Sequence, residues 1–411
     1  MDVKPRASDR VLKLLRAHGD HPSSFQVLEP GYQYWFDGDR GCVAYSDTGR
    51  AWVAAGQPVA ARDALASVSQ NFVTAAREAG RSVRYFAAEG GFTEAAGLAR
   101  THIGEQPVWI PGDWEQTLSA SRSLREQLRR ARAKGVRVSV PGKEEVMDES
   151  SPFRSEADGL IERWLASRKM SEMKFMVLVH PFSHARERRY MVARQGGQLV
   201  GLAVAVPIYG RNGWFVEDLL RDPSAANGTV ETLVDAMMRS FAEEGAEYVT
   251  LGLAPLAGDV NAVLKFTRDY TSRLYNFGGV RAFKARLRPA RWDPVYLAYP
   301  SGDHGLVAMR DALTAFAPGG LVRFGLNTLV HQRSLATAIL ALLLVPWTLM
   351  LASPVAISWF PTEWLRWSWV CFDVLLIGLM AHLVRRWQPR IATSLVVLTS
   401  ADAVLTALQF A

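Results

Sequence analysis

The sequence predicts an α/β protein of two consecutive mixed-sheet units, followed by a C-terminal anchor of three transmembrane helices. Strand-like and helical patterns alternate in two successive stretches, which is typical of mixed sheets covered by helices. Residues 334–362 contain no charged side chain, and a helix of about 20 apolar residues can cross a bilayer. The predicted parts are a first α/β unit (1–111), a second α/β unit (112–300), an amphipathic linker (301–333) and spans at about 335–360, 367–384 and 391–411.

The first unit opens with an amphipathic helix over residues 8–18, where Val11, Leu12, Leu14 and Leu15 share one side. A second helix is predicted over residues 61–79, because its apolar residues recur at helical spacing and Gly80 stops the pattern. Short apolar runs predict strands at 31–36, 42–47, 50–56 and 83–89.

The second unit repeats this grammar on a larger scale. Three strands are predicted within residues 188–222, because Gly196-Gly197 and Asn212-Gly213 are typical hairpin turns. The remaining predictions are helices at 113–134, 155–169 and 229–244, and strands at 136–140 and 247–253.

The loop that joins the last hairpin strand to the following helix is the candidate donor site. A long hairpin, such a junction and a further strand form the arrangement of GNAT-type acyltransferases. In that fold the helix N-terminus offers N–H groups and a positive dipole end to a phosphate-bearing donor. We therefore predict that Asn227, Gly228 and Thr229 bind donor phosphate. The Q/R-x-x-G-x-G/A pattern of ordinary acetyl-coenzyme A enzymes is absent, which disfavours transfer of small acetyl groups.

Charge and cysteine content indicate the compartment. The net charge of +7 favours anionic partners, namely lipid head groups, phosphorylated carriers or nucleic acid. Only Cys42 and Cys371 are present, so a disulfide framework is not expected. Arginines flank the predicted spans on one side, at Arg323, Arg333 and 385–390. By the positive-inside rule, the α/β body lies on the cytoplasmic side of a bacterial inner membrane.

Five stretches together resemble the C-terminal catalytic domain of the phosphatidylglycerol lysyltransferases, a tandem GNAT-like domain that modifies lipids. The resemblance covers roughly residues 20–300, with the motifs in family order, and it implies transfer of an aminoacyl group from aminoacyl-tRNA to a lipid hydroxyl. The stretches are PVWIPGDWEQTLSASRSLREQLRRARAKGVRV (107–138), LIERWLASRKMSEMKF (160–175), WFVEDLLRD (214–222), EYVTLGLAPLAG (247–258) and NFGGVRAFKARLRPARWDPVYLAY (276–299).

Three hypotheses about function follow. The first is aminoacyl-tRNA-dependent aminoacylation of phosphatidylglycerol, which the resemblance implies. The second is transfer of a fatty-acyl group from a coenzyme A or carrier thioester to a sphingoid-type lipid amine, as in bacterial ceramide-forming enzymes of GNAT type. It is favoured because the membrane flippase region of fuller family members has no counterpart in this sequence. The third is an inactive, basic scaffold that binds lipid.

A cluster of arginines on the helix at 113–134 is a candidate phosphate-binding face. Residues at spacings of three and four share one face of a helix, and guanidinium groups suit phosphates of tRNA, of a coenzyme or of a lipid. A merely solvated or membrane-facing surface is the alternative. The arginines of this face are Arg122, Arg125, Arg129 and Arg132.

Acyl transfer needs a group that takes a proton from the attacking amine or hydroxyl. Glu217 and Asp218 end the last hairpin strand beside Arg221, which could bind donor phosphate or pair with one carboxylate. Since neighbouring strand residues point to opposite faces, only one of the two is expected to reach the cleft. His184, with His180, is the alternative base.

The remaining candidates are expected to line the substrate site. Gly252 and Pro255 would shape a turn whose backbone stabilises an oxyanion, and Lys284 belongs to a second basic cluster. Lys174 and Phe175 come from a family-like segment. No metal-ligand spacing, P-loop, dinucleotide fingerprint or Gly-x-Ser-x-Gly elbow occurs, so neither a metal nor a tightly bound cofactor is expected.

Overall fold

One mixed sheet of thirteen strands organises the α/β body of the protein. The structure is a computed structural model, and it describes residues 7–167, 175–176, 179–255, 277–317, 333–385 and 388–410. The body (residues 1–168 and 172–321) and the apolar tail (322–411, with 169–171) are two separate units. The predicted fold of mixed sheet and helices is confirmed for the body.

The strands begin and end close to the predicted positions where the sequence is hydrophobic. They are β1 (Gln33–Phe36), β2 (Gly41–Asp47), β3 (Ala51–Ala55), β4 (Val59–Ala60), β5 (Ser82–Ala88), β6 (Ala99–Trp109), β7 (Val136–Ser139), β8 (Arg189–Gln195), β9 (Gln198–Ile208), β10 (Gly213–Arg221), β11 (Tyr248–Thr250), β12 (Ala254–Pro255) and β13 (Arg291–Tyr299).

Helices cover the sheet and form the tail. They are α1 (Ala7–His18), α2 (Leu65–Glu78), α3 (Gly90–Ala95), α4 (Trp114–Ala120), α5 (Arg122–Ala133), α6 (Lys143–Met147), α7 (Pro152–Ala166), α8 (Thr229–Glu243), α9 (Phe277–Arg286), α10 (Gly305–Phe316), α11 (Arg333–Ala352), α12 (Glu363–Arg385) and α13 (Pro389–Phe410).

The sheet runs through both predicted units without a break. Its strand order is β1-β2-β3-β5-β13-β6-β11-β10-β9-β8-β7, with β4 beside β2 and β12 beside β6. Strand β13 comes late in the chain yet lies antiparallel between β5 and β6. The boundary expected between residues 111 and 112 therefore does not separate two independent sheets, because the second unit supplies an inner strand to the first half.

Two of these inner strands, β6 and β13, were not among the predicted strands. Strand β6 contains Gly104 and Pro107, and β13 contains Pro294. Glycine and proline weaken strand propensity, which hides such strands in a sequence. Their pairing places Trp292 opposite Pro107 in the middle of the sheet. Tertiary context overrides the local signal here.

The helix predicted over residues 113–134 is two helices. Ser121 has φ −113° and ψ 91°, an extended conformation that ends α4 and begins α5. Leu124, Leu128 and Ala131 of α5 are buried, and α5 packs against α8. The break allows the arginine-rich helix to turn its apolar side onto α8.

The tail contains three helices where three spans are predicted. Only α12 among the described residues is long and apolar enough to cross a membrane, and residues 337–352 of α11 form a shorter apolar helix. The span expected at 335–360 is wrong beyond Ala352, because Ser353 precedes Pro354 and such a residue disfavours helical geometry. Within this unit, Asp373 of α12 is buried and accepts a hydrogen bond from Thr348 of α11. A three-span anchor is retained below as part of a proposal.

Candidate active site

Two parallel strands separate in the second half of the sheet. Strand β10 pairs with β11 only between Gly213 and Phe215. The chain then leaves β10 at Gly252 and continues as β12 beside β6. Gly252 has φ 71°, and a Cβ there would lie 2.7 Å from the ring of Phe215. The turn therefore requires glycine, and it lets β10 and β11 diverge.

Strand β10 carries a β-bulge just beyond this point. Its register against β9 shifts between Val216 and Asp218, which leaves Glu217 as the extra residue. A bulge re-aims side chains relative to the regular pleat. The expectation that Glu217 and Asp218 point to opposite faces, so that only one enters a site, is therefore wrong: both side chains are buried within reach of one arginine.

That arginine is Arg188, whose side chain is fully buried. Its guanidinium donates to Glu217 Oε2 at 2.5 Å and forms a second ion pair with Glu29. It also donates to the backbone oxygen and to the hydroxyl of Ser183, at 2.6 and 2.8 Å. We call Glu29, Arg188, Glu217 and Asp218 the acid cluster. It joins the segment after α1 to strands β8 and β10.

The acid cluster holds three carboxyl groups and one guanidinium. Burial raises the pKa of Asp218 well above its usual value, and the charge of Glu217 adds to this, while Arg188 opposes it. Burial also raises the pKa of Glu29, again against the effect of Arg188. For Arg188 burial disfavours the charge, but Glu217 and Glu29 outweigh it, so its pKa is raised. Excess acid surrounds a firmly charged cation.

Two polar atoms beside the acid cluster have no hydrogen-bond partner among the described residues. They are Oε2 of Glu29 and the hydroxyl of Tyr32, both buried. Burial raises the pKa of the Tyr32 phenol, and the charge of Glu29 adds to it, so Tyr32 remains a neutral donor. Phe175, a predicted lining residue, is buried against Tyr32 with 5.6 Å between ring centroids. An acceptor and a donor thus remain available to a ligand.

Arg221 takes no part in the acid cluster. It donates to the backbone oxygens of Asp222 and Pro223, and Asp222 pairs instead with Arg163 at 2.6 Å. The expected pairing of Arg221 with Glu217 or Asp218 is therefore wrong. Its predicted role in binding phosphate stays a prediction.

His184 lies next to the acid cluster on the loop that precedes β8. It has φ 46°, and its ring meets Phe25 edge-on at 6.3 Å. Burial and the nearby Arg188 lower the pKa of His184, so the imidazole is neutral at physiological pH. His180 lies near Glu29, whose carboxylate it influences electrostatically. Either histidine stays a candidate base, though neither is paired with Glu217 or Asp218 by any hydrogen bond among the described residues.

Helix α5 covers the predicted phosphate junction. A Cβ at Gly228 would lie 2.6 Å from the carbonyl oxygen of Gln127 in α5 and 3.1 Å from Cβ of Ala131. Thr229 is buried and its hydroxyl donates to the oxygen of Ala226 at 2.7 Å, while Asn227 is exposed. The glycine serves close packing of two helices, and α5 occupies the approach on that side.

The predicted arginine face of α5 is exposed but partly engaged. Arg125 donates to the backbone oxygens that end α4, at Leu118 and Ser119. Arg132 pairs with the buried Asp235 of α8 at 2.8 Å. Arg129 binds Glu126 through two hydrogen bonds of 2.8 Å. Arg122, Ser123, Glu126 and Arg130 line an open depression of about 520 Å³. The face has cations and space, and its role in binding phosphate stays a prediction.

Lys284 of α9 fixes the turn that separates β11 from β10. Its Nζ donates to the backbone oxygens of Leu251, Gly252 and Leu253 at 2.7, 2.8 and 3.0 Å. Burial lowers the pKa of Lys284 to about 7. It shapes the turn from behind. Pro255 lies in β12 opposite Gly104, and Lys174 lies outside the described residues.

Sequence reasoning missed two members of the acid cluster, Glu29 and Arg188. Glu29 precedes Pro30-Gly31, and Arg188 ends the run Arg-Glu-Arg-Arg before β8. Both read locally as surface turn residues, since charged side chains are rarely buried unless paired. An available signal was the two acids, Glu217 and Asp218, in an otherwise apolar strand, which need a cation nearby. No group of three or more possible metal ligands occurs among the described residues.

The fold and the site define a class of protein: an α/β transferase of two joined halves, with diverging parallel strands beside a buried acidic site. Residues 12–299 match the family described as "Phosphatidylglycerol lysyltransferase, C-terminal". The chain belongs to this family, and thereby to the acyltransferases.

Two solved structures share the fold. The C-terminal domain of a putative lysylphosphatidylglycerol synthetase from Agrobacterium fabrum is 23% identical, with a TM-score of 0.65 over 76% of this chain and 98% of that one. L-PGS from Bacillus licheniformis is 19% identical, with a TM-score of 0.63 over 75% and 95% of the two chains. Both likenesses concern the fold.

Curated relatives are longer than this chain. Phosphatidylglycerol lysyltransferase of Bacillus subtilis is 24% identical over 312 residues, which is 71% of this chain but 35% of the relative. The lysylphosphatidylglycerol biosynthesis bifunctional protein LysX of Mycolicibacterium gilvum is 25% identical over 249 residues, 55% of this chain and 21% of the relative. The names of these relatives support a role in lipid aminoacylation.

Proposed function

We propose that this protein transfers an aminoacyl group from aminoacyl-tRNA to a hydroxyl of phosphatidylglycerol. The observation that carries the proposal is the acid cluster, in which three buried carboxyl groups face one guanidinium and Glu29 keeps an unpartnered oxygen. Such a site attracts a cation. An aminoacyl ester presents its ammonium group, and a lysyl ester presents two.

Charge also weighs against the alternative donor. A coenzyme A or carrier thioester is an anion with an uncharged acyl group, so the acid cluster offers its acyl end no attraction. The helix N-terminus that would bind its phosphates is covered at Gly228 by α5. Both features favour the aminoacyl ester over the fatty-acyl thioester.

The bound cation would also prepare the base. A positive charge near a carboxyl group lowers its pKa, so an arriving ammonium favours ionised Asp218, which is otherwise held protonated by burial and Glu217. The lipid hydroxyl oxygen then bonds to the carbonyl carbon and its proton passes to Asp218. The bond from that carbon to the ribose oxygen breaks, and the proton passes on to this oxygen. Backbone groups at the Gly252 turn are the candidate donors to the oxyanion.

We place the body at the cytoplasmic face of the bacterial inner membrane, held by the tail. Helix α12 is long and apolar enough to cross a bilayer, and α11 and α13 are the proposed further spans. Phosphatidylglycerol reaches the body only from a membrane. If the full chain leaves the membrane pellet during an alkaline carbonate wash, the anchor is wrong.

The test of the reaction is a reconstituted assay. The purified full chain is incubated with phosphatidylglycerol vesicles and either lysyl-tRNA or a palmitoyl thioester with a sphingoid amine, and the lipids are analysed by mass spectrometry. A lysine mass added to phosphatidylglycerol, and its loss in Glu29→Gln, support the proposal. A fatty amide formed from the thioester contradicts it. Lipid binding without any product identifies the basic scaffold instead.

A further inference from the structure

Helix α10, the last described element of the body, presents an apolar outer face. Leu306, Val307 and Leu313 are 56%, 41% and 49% exposed. They lie on one side of the helix, at spacings of one and seven residues, and Arg310 lies between them. Single exposed apolar residues are common, but three on one short helix form a surface that water solvates poorly.

The opposite face of α10 is firmly attached to the body. Asp311 is buried and binds Arg84 of β5 through two hydrogen bonds, of 3.1 and 3.2 Å. Ala308 and Ala312 are also buried. Because a charged, buried pair locks the inner face, α10 cannot rotate to hide its leucines. Its apolar face therefore points outward in the folded protein.

The sequence that follows α10 connects it to the apolar tail. Between Phe316 and Arg333, where α11 begins, the chain has 16 residues with no acidic side chain, and Arg323 and His331 are among them. Even fully extended, this connection reaches roughly 60 Å. If α11 and α12 enter a bilayer, α10 stays within that distance of its surface.

We propose that the outer face of α10 lies on an anionic lipid bilayer, with Leu306, Val307 and Leu313 inserted at the level of the head groups. Interfacial helices combine an apolar face with basic side chains that contact anionic lipids. Arg310 is half-exposed and can extend its guanidinium toward phosphates while its stem covers apolar surface. This inference rests on the membrane anchoring proposed above, and it deepens it, since it orients the body on the membrane.

Site-specific fluorescence tests the inference on the full chain. Cys42 and Cys371 are first replaced by serine. A single cysteine is then placed at Val307 or Leu313, or at Glu78 on the exposed end of α2 as a matched control, and labelled with a bimane dye. Each protein is reconstituted into nanodiscs of phosphatidylglycerol and phosphatidylcholine, with or without brominated acyl chains, and thermal unfolding confirms that each remains folded.

Brominated chains are expected to quench the dye at positions 307 and 313 but not at position 78, and aqueous iodide should do the reverse. Iodide quenching at all three positions, without an effect of bromine, overturns the inference. Protection of positions 307 and 313 from both quenchers means that protein covers α10, and overturns it as well. Failure of the lysyl-transfer assay would leave the quenching unchanged, so the two proposals fail separately.

Discussion

Each half of the sheet buries one arginine on a strand, and the two arginines have opposite charge surroundings. In the first half Arg84 of β5 contacts Asp303 and Asp311, and Arg310 also pairs with Asp311. In the second half Arg188 faces the three carboxyl groups of the acid cluster. The Arg84 group has equal numbers of acids and bases. The acid cluster has an excess of two acids.

This difference separates a fastener from a site. The balanced group at Arg84 attaches α10 to the sheet, and its charges satisfy one another. Burying unbalanced charge is unfavourable, and it persists where function requires it. The raised pKa of Asp218 and the unpartnered oxygen of Glu29 are the local signs of this imbalance. Charge balance thus distinguishes two otherwise similar buried arginines.

The largest expected effect is on activity. Asp218→Asn removes the proposed base and should lower kcat by about 10²–10⁴, the usual worth of general-base catalysis. Asp303→Asn, the same change beside Arg84, is the matched control and should keep kcat near the wild-type value. Single-turnover assays with saturating lysyl-tRNA measure both. Near-wild-type turnover of Asp218→Asn would move the base to His184 or to Glu217.

The next largest effect is on stability. Arg84→Met leaves Asp311 buried without its main partner, which typically lowers the free energy of unfolding by about 3–5 kcal/mol. The protein that remains folded should transfer lysine at the normal rate, since Arg84 is not in the acid cluster. Chemical denaturation and an activity assay at low temperature measure the two properties. An unchanged denaturation midpoint would show that the Arg84 group is not a fastener.

A smaller effect concerns pH. The pKa of Asp218 is raised in the folded protein, so its stabilising contribution is complete below the unfolded pKa of about 4 and is lost as pH rises through the folded pKa. Asp218→Asn cannot ionise. Its free energy of unfolding should therefore increase relative to wild type between pH 4 and 8, measured by urea denaturation. A difference that is constant with pH would mean that Asp218 titrates normally.

The smallest effect is expected at the arginine face of α5. Arg129→Gln with Arg130→Gln removes two exposed cations that share Glu126. If tRNA phosphates bind there, its affinity should fall several-fold, and the salt dependence should lose a slope of about 0.7–0.9 per phosphate contact. Filter binding at several salt concentrations measures this. Arg100→Gln, on β6 and away from α5, is the control, and equal affinities in both variants would leave α5 as a solvated face.

Much of the fold could be predicted from the sequence. Helices α1, α2 and α8 and the hairpin β8–β10 were expected within a few residues, because their apolar spacing and glycine turns are local signals. Strands β6 and β13 could not be found in this way. Their glycine and proline residues are tolerated by neighbours that lie far away in sequence.

The site divides along the same line. Glu217 and Asp218 stand out in the sequence because acids are unusual in a buried strand, and both are in the acid cluster. Glu29 and Arg188 are separated from each other by 159 residues, and nothing local joins them. The bulge at Glu217 also has no sequence signature here, so the assumption of strict alternation failed.

The late arrival of β13 has a consequence for synthesis. Strands β5 and β6 are not neighbours without it, and each would expose an unpaired edge. The ribosome must therefore deliver nearly 300 residues before the inner sheet can close. Soon afterwards the apolar tail leaves the exit tunnel. The body completes its folding and meets the insertion machinery within the same short interval, while the nascent chain is still attached.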